Sequence, residues 1–217
     1  MIHLDKRLQE IANLVDANAI IADIGTDHGY LPIYLVQQNI INKAYACDIS
    51  YLCLKKAKEN ITKENLQDKI TPVLNDGIKN LSPEIDTIII SGMGGHLISE
   101  IIKNCKYPTL ILQANSHVEV VRQAIMENNY KIIDEKIVFH NKKYYEIIKA
   151  IKKEAKYTPL ELKYGPINLV NKSEMFINKI IFEIDYYRKI LKKLSKENKD
   201  YDKYVSKIIE LEKIIKK

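Results

Sequence analysis

The sequence predicts an α/β fold: a mainly parallel seven-stranded sheet with helices on both faces, followed by a C-terminal α-helical coiled-coil hairpin. Three observations predict it. Short apolar runs alternate with segments of helical period through most of the chain. Two consecutive segments near residues 131–140 and 144–153 alternate apolar and polar with no helix between them. From Ile177 onward the apolar spacing changes to a 3-4 pattern with one polar interruption.

Each element has its own signal. Leu4, Leu8, Ile11, Ala12 and Val15 share a helical stripe, so residues 3–15 read as an amphipathic helix. AIIADIG (19–25) is a buried strand ending at Gly25, and Pro32 stands near the start of the helix after it, where proline is tolerated. KAYACD (43–48) is a second strand, with Ser50 placed to cap the next helix. KITPVL (69–74) is a third, and Pro72 points to a sheet edge or a strand end. DTIIIS (86–91) runs into GMGG, and TLILQ (109–113) precedes a helix over about 117–128. The two alternating segments are expected to close one edge as an antiparallel pair. In the tail, Ile177, Ile180, Ile184, Tyr187, Leu191 and Leu194 form one stripe. KENKD (196–200) breaks it, and Tyr201, Tyr204, Val205, Ile208, Leu211 and Ile215 resume it. Two helices folding back on each other fit this pattern. The division expected is a domain over 1–163 and a hairpin over 164–217.

Composition narrows the class. The 217 residues are 46% hydrophobic and 29% charged, enough for one full core and a smaller appendage. No apolar run approaches the length needed to span a bilayer, so no membrane partner is expected. The charged opening MIHLDKRLQE has no signal-peptide character. Cys47, Cys53 and Cys105 form no CxxC pair, which suits a reducing cytoplasm and points to neither zinc nor a disulfide framework. The net charge of +6 is uneven: residues 171–217 hold 13 Lys+Arg against 8 Asp+Glu. A basic tail favours polyanions through counterion release, and a solvated lysine-rich helix would look the same.

The chemistry concentrates in DIGTDHG (23–29), at the carboxyl end of the first strand, where open parallel sheets bind ligands. This is neither GxGxxG nor a P-loop, and Asp27 between Gly25 and Gly29 would repel a pyrophosphate. A ligand with a positive centre and no phosphate fits better, and S-adenosylmethionine is one. Asp48 ends the second strand 25 residues after Asp23, where an acid can accept from ribose hydroxyls. Asp76, after the third strand, can accept from an adenine amino group. Alternatively, all three acids cap turns and helices. His28 and His96 lie near the cleft, but without HxxxH spacing or a cysteine pair no metal is expected. Met93 in SGMGG (91–95) is read as lining the pocket, whereas Tyr30 suits a base contact or core cover equally.

These segments resemble a known family. ADIGTDHGYLPIYL, AYACDIS, NDG, IIISGMGGHLI and LILQANSHVEVVRQAIMENNYKIIDEKIV are similar to the bacterial TrmK family, the tRNA (adenine(22)-N(1))-methyltransferases, over about residues 1 to 165. The resemblance implies a class I Rossmann-like methyltransferase domain. It implies cofactor binding by Asp23, Gly25, Thr26, Asp27, His28 and Gly29 in the first loop. Asp48 with Ile49, Asp76 with Gly77, and Gly92 with Met93 complete that set. SGMGG stands where amino-directed adenine methyltransferases carry an NPPY-type motif, which suits attack by a ring nitrogen. The chain departs from the family at Ala114, where LQPN is usual. Asp27 is the candidate for the product's charge or proton, and Met93 is grouped with it at the reacting centre. Arg7 and Tyr30, with Lys189, Lys192, Lys193 and Lys196 of the hairpin, are the candidates for tRNA contact. Arg7 also suits a surface ion pair. The expected form is a monomer or weak homodimer. Two other classes stay open: a methyltransferase of another RNA or small molecule, and a non-catalytic RNA-binding or coiled-coil protein.

Overall fold

The computed structural model describes residues 2–216. The chain forms two compact units, dividing between Ile167 and Asn168. The first carries seven strands: β1 Ile20–Ile24, β2 Lys43–Asp48, β3 Ile70–Leu74, β4 Thr87–Met93, β5 Thr109–Ala114, β6 Tyr130–His140 and β7 Lys143–Lys152. Their order in the sheet is β3-β2-β1-β4-β5-β7-β6. The first five run parallel, and β7 lies antiparallel between β5 and β6. Helices α1 Lys6–Asn13, α2 Tyr30–Gln37, α3 Tyr51–Lys63, α4 Gly95–Ile101 and α5 Val118–Glu127 connect or flank them. Helices α6 Pro159–Tyr164 and α7 Pro166–Asn171 follow the sheet, and α8 Glu174–Leu191 and α9 Tyr201–Lys216 follow in the second unit.

The central strands are buried on both faces, as continuous apolar runs require. Successive side chains of β4 and β5 feed opposite layers. Ile88, Ile90, Leu110 and Leu112 join Ile98, Val121 and Ile125 of α4 and α5. Ile89 and Ile111 join Ile11, Leu35 and Ile61 of α1, α2 and α3. Pro72 pairs with Ala46 on the outermost strand, where its missing N–H leaves no ladder bond unmade. Ser50 caps α3 by accepting from Cys53 N.

Some expectations shift. The first helix begins at Lys6 rather than residue 3, because the Asp5 carboxylate caps it from Leu8 N at 2.8 Å. The fourth strand passes the expected end at residue 91: β4 runs on to Met93 through a bulge between Ser91 and Met93, and α4 starts at Gly95. Gly95 donates to Ser116 O, and a Cβ there would fall 2.2 Å from His117 O, so only glycine lets the two loops meet. Helices α6 and α7 are too short to show a period. A Thr158–Glu161 capping box starts α6.

The first unit extends four residues past the expected boundary at 163. Arg122 of α5 is fully buried and bonds to Glu135 of β6 and Glu146 of β7. Its guanidinium also donates to the carbonyls of Leu162 and Lys163 at 3.4 Å, and Glu135 accepts from Ile167 N at 2.9 Å. These bonds tie the segment through Ile167 to the sheet. In the second unit, α8 and α9 pair through a Tyr187–Tyr204 stack and an Arg188–Glu212 ion pair at 2.7 Å. Lys189, Lys192, Lys193 and Lys196 are all exposed.

Candidate active site

The carboxyl ends of β1, β2, β4 and β5 open onto a cavity of about 450 Å3. Arg7, Asp23, Gly25, Asp27, Asp48, Gly92 and Met93 all line it, so the fold brings half of the proposed first-domain residues to one place. Asp48 ends β2, and its Oδ1 accepts from Ser50 N at 2.7 Å, which fixes the carboxylate at the turn into α3. The Gly25 and Thr26 amides both donate to Cys47 O, which locks the loop after β1 onto β2. Gly25 has φ 74°, and a Cβ would press to 2.2 Å from the Met93 methyl. Glycine therefore lets backbone and Met93 share the cavity wall.

The neighbours of these residues serve them. Thr26 is buried outside the cavity lining, and its hydroxyl donates to Asp23 Oδ2 at 2.7 Å. His28 stacks on Tyr30 with centroids 5.2 Å apart, and its Nε2 lies 3.4 Å from Asp27 Oδ1. That geometry orders the loop. Gly29 begins α2 with φ 70°. Ile49 is 71% exposed beside Asp48, outside the lining. Asp76 and Gly77 also lie outside it, and Asp76 pairs with Lys79 at 2.6 Å on the surface.

Sequence reasoning missed other parts of the lining. Asn115, Tyr145, Ser91, Leu8 and Leu31 contribute to it, and the buried Gln113 stands behind. A polar Gln at the end of the apolar run TLILQ was a visible signal. Tyr145 had none, because its place depends on β7 inserting beside β5. Ala114 ends β5 opposite Met93 and Glu146 and is buried, so the strand pairs on both sides up to its last residue.

The electrostatics suit a cation. Burial pushes the Asp23 carboxyl up to about 6; the Thr26 hydroxyl and Arg7 oppose this, while Asp27 and Asp48 reinforce it. An acid with a raised folded-state pKa destabilises the fold where it must ionise. The cost is full above pH 6 and gone below the ordinary value near 4. A rise of this size corresponds to about 3 kcal/mol. Asp23→Asn keeps an acceptor for Thr26 and removes the charge. It is expected to raise the ligand-free melting temperature at pH 8, with the gain fading as pH falls from 6 to 4. Calorimetric scans at pH 8 and pH 4 check this, and an equal gain at both would show that charge is not the cause. A bound cation would offset the same cost, so the residues present fit a sulfonium cofactor.

A methyltransferase-domain family model matches residues 4–148. The tRNA (adenine(22)-N(1))-methyltransferase of Bacillus subtilis is 33% identical over 204 residues, covering 88% of this chain and 86% of that protein. The chain belongs to the tRNA (adenine(22)-N(1))-methyltransferase family. Solved structures of the family agree with its fold. M. capricolum TrmK, in complex with S-adenosyl-homocysteine, superposes with a TM-score of 0.85 at 34% identity over 98% of each chain. The B. subtilis m1A22 enzyme TrmK superposes with 0.85 at 28% identity, over 99% of this chain and all of that one. Among the described residues, no helix is long and apolar enough to cross a membrane, and no group of three or more His, Cys, Asp or Glu could hold a metal ion.

Proposed function

We propose that this chain transfers a methyl group from S-adenosylmethionine to N1 of adenine 22 in tRNA. The observation that carries the reading is the arrangement of Asp23, Asp27 and Asp48 around one cavity beside Gly92 and Met93, in a chain of this family. When bound, the cofactor supplies a sulfonium methyl; adenine N1 takes it with its in-plane lone pair, and the C–S bonding pair stays on sulfur. The chain's part is chiefly positioning. Asp48, oriented by Ser50, accepts from the ribose hydroxyls, and exposed Ile49 covers a base face. The Gly25–Thr26 turn, His28 and Gly29 shape the loop, and Asp23 balances positive charge. Asp76 and Gly77 enter by position only, at the turn after β3.

Asp27 is exposed at the cavity rim, where it can stabilise the cationic product base or take its proton. Met93 packs against the Gly25 turn and presents its side chain to the reacting centre. In this reading the first unit carries the chemistry and the second, from Asn168 onward, grips tRNA. Lys189, Lys192, Lys193 and Lys196 meet phosphates, adding affinity rather than sequence choice. Tyr30 and Arg7 contact the RNA nearer the base. The enzyme works in the cytoplasm, as a monomer or weak homodimer.

The test is direct. Purified protein, S-adenosylmethionine and an unmodified tRNA transcript should yield 1-methyladenosine at position 22, mapped by mass spectrometry of nuclease fragments. A transcript with guanine at 22 should yield none. Methylation elsewhere, or cofactor binding without any transfer, would overturn the reading.

A further inference from the structure

The cavity lining holds two kinds of group. Asp23, Asp27 and Asp48 are acidic, and Arg7, Asn115 and Tyr145, joined by the contacts below, form a second set; Arg7 is near enough to Asp23 to act on its charge. In the second set, Arg7 Nη1 donates to Gln113 Oε1 at 2.6 Å. That acceptor is a neutral amide, so the bond places the guanidinium without cancelling its charge. The guanidinium carbon lies 5.9 Å from the Tyr145 ring centroid. Lys143 Nζ lies 5.3 Å from the same centroid and donates to Asn115 O at 2.9 Å.

Gln113 holds this set together. Its Oε1 also accepts from Gly92 N at 3.1 Å, and its Nε2 donates to Asn115 Oδ1 at 3.2 Å. Asn115 Nδ2 donates in turn to Gly92 O at 2.6 Å. A buried amide is unfavourable unless its polar atoms are satisfied, and here both are. One side chain thereby sets the positions of Arg7, Gly92 and Asn115, all of which line the cavity.

We propose that this set is the subsite for the target nucleotide, with Tyr145 stacking on its base, Arg7 and Lys143 meeting its phosphate, and Gln113 acting as the positioning residue. The inference rests on the proposed function. N1 lies on the pairing edge, so the adenosine must leave its stack, and a protein ring has to replace the stacking lost. S-Adenosylmethionine carries no phosphate; its sulfonium and ammonium suit the three carboxylates, and its single carboxylate needs one cation at most, whereas an RNA nucleotide brings a phosphate to two cations beside an aromatic side chain.

The test uses the full-length protein saturated with S-adenosyl-homocysteine, so that the cofactor site is filled. Binding of adenosine 5′-monophosphate and of adenosine is then read by ligand-observed NMR. The monophosphate should bind about tenfold more tightly than adenosine, a ratio set by the phosphate contact. Arg7→Gln should lower that ratio, and Arg7→Gln with Lys143→Gln should bring the monophosphate down to the adenosine value. Tyr145→Leu should weaken both about tenfold, and Tyr145→Phe, which keeps the ring, should restore them. Gln113→Glu places a carboxylate on Arg7; it should lower the preference for the monophosphate at least as far as Arg7→Gln does, while adenosine binding stays. In each variant the cofactor dissociation constant, which also reports folding, should stay within about twofold. Equal binding of the two probes by the unaltered protein, or no response to Arg7→Gln and Tyr145→Leu, would overturn the subsite. So would a parallel loss of cofactor affinity, since the set would then belong to the cofactor. Probe binding as expected in a protein that methylates no tRNA would leave the subsite standing and sink the substrate reading.

Discussion

Arg122→Met is expected to lower the free energy of unfolding by about 3–5 kcal/mol, seen as a lower urea midpoint with little change in slope. Arg122 is fully buried between Glu135 and Glu146, with two backbone carbonyls completing its donors. Methionine fills similar volume but removes the guanidinium that both buried carboxylates face. Proton uptake by the carboxylates relieves part of that cost, so the loss should shrink as pH falls. Adding Glu135→Gln and Glu146→Gln to Arg122→Met should recover much of the stability, because a neutral cluster has no charge left to compensate. A loss below about 1 kcal/mol at neutral pH would mean that water reaches the carboxylates and the triad is not a closed electrostatic unit.

Asp48→Ala is expected to weaken S-adenosylmethionine binding by about 1.5–3 kcal/mol, the scale of hydrogen bonds to a charged group. Titration calorimetry reads this as a rise of roughly tenfold to 150-fold in the dissociation constant. The alanine variant also loses the bond from Ser50 N, which steadies the entry to α3. Asp48→Asn keeps that acceptor and drops only the charge. A loss in both variants therefore assigns the effect to the carboxylate, whereas a loss in alanine alone assigns it to the turn. An unchanged constant in both would remove Asp48 from the cofactor site.

Much of this was legible in the residues themselves. Asp23, Asp27 and Asp48 stand at strand ends that apolar runs and glycines mark plainly, and a parallel sheet must put such ends on one side. Ser50 and Pro72 carried their own local signals, a cap and an edge, and the structure uses both. Helix α4 was not legible, because seven residues are too few to show a period and its start depends on a contact with Ser116 across the fold. Thr26 and His28 sit in the same motif as Asp27, but only the geometry separates a residue that lines the cavity from one that braces it.

By itself the sequence determined the α/β class, the basic helical tail and the acidic strand ends, because those follow from periodicity, composition and the chemistry of neighbouring residues. Only the tertiary structure decided that β7 enters between β5 and β6. That insertion sets Glu146 opposite Ala114, which carries Tyr145 to the cavity and Glu146 to Arg122. It decided equally that Arg7 reaches Gln113, 106 residues away along the chain. Local propensity cannot specify such pairings, because they form only when distant segments are held together by the packing of a shared core.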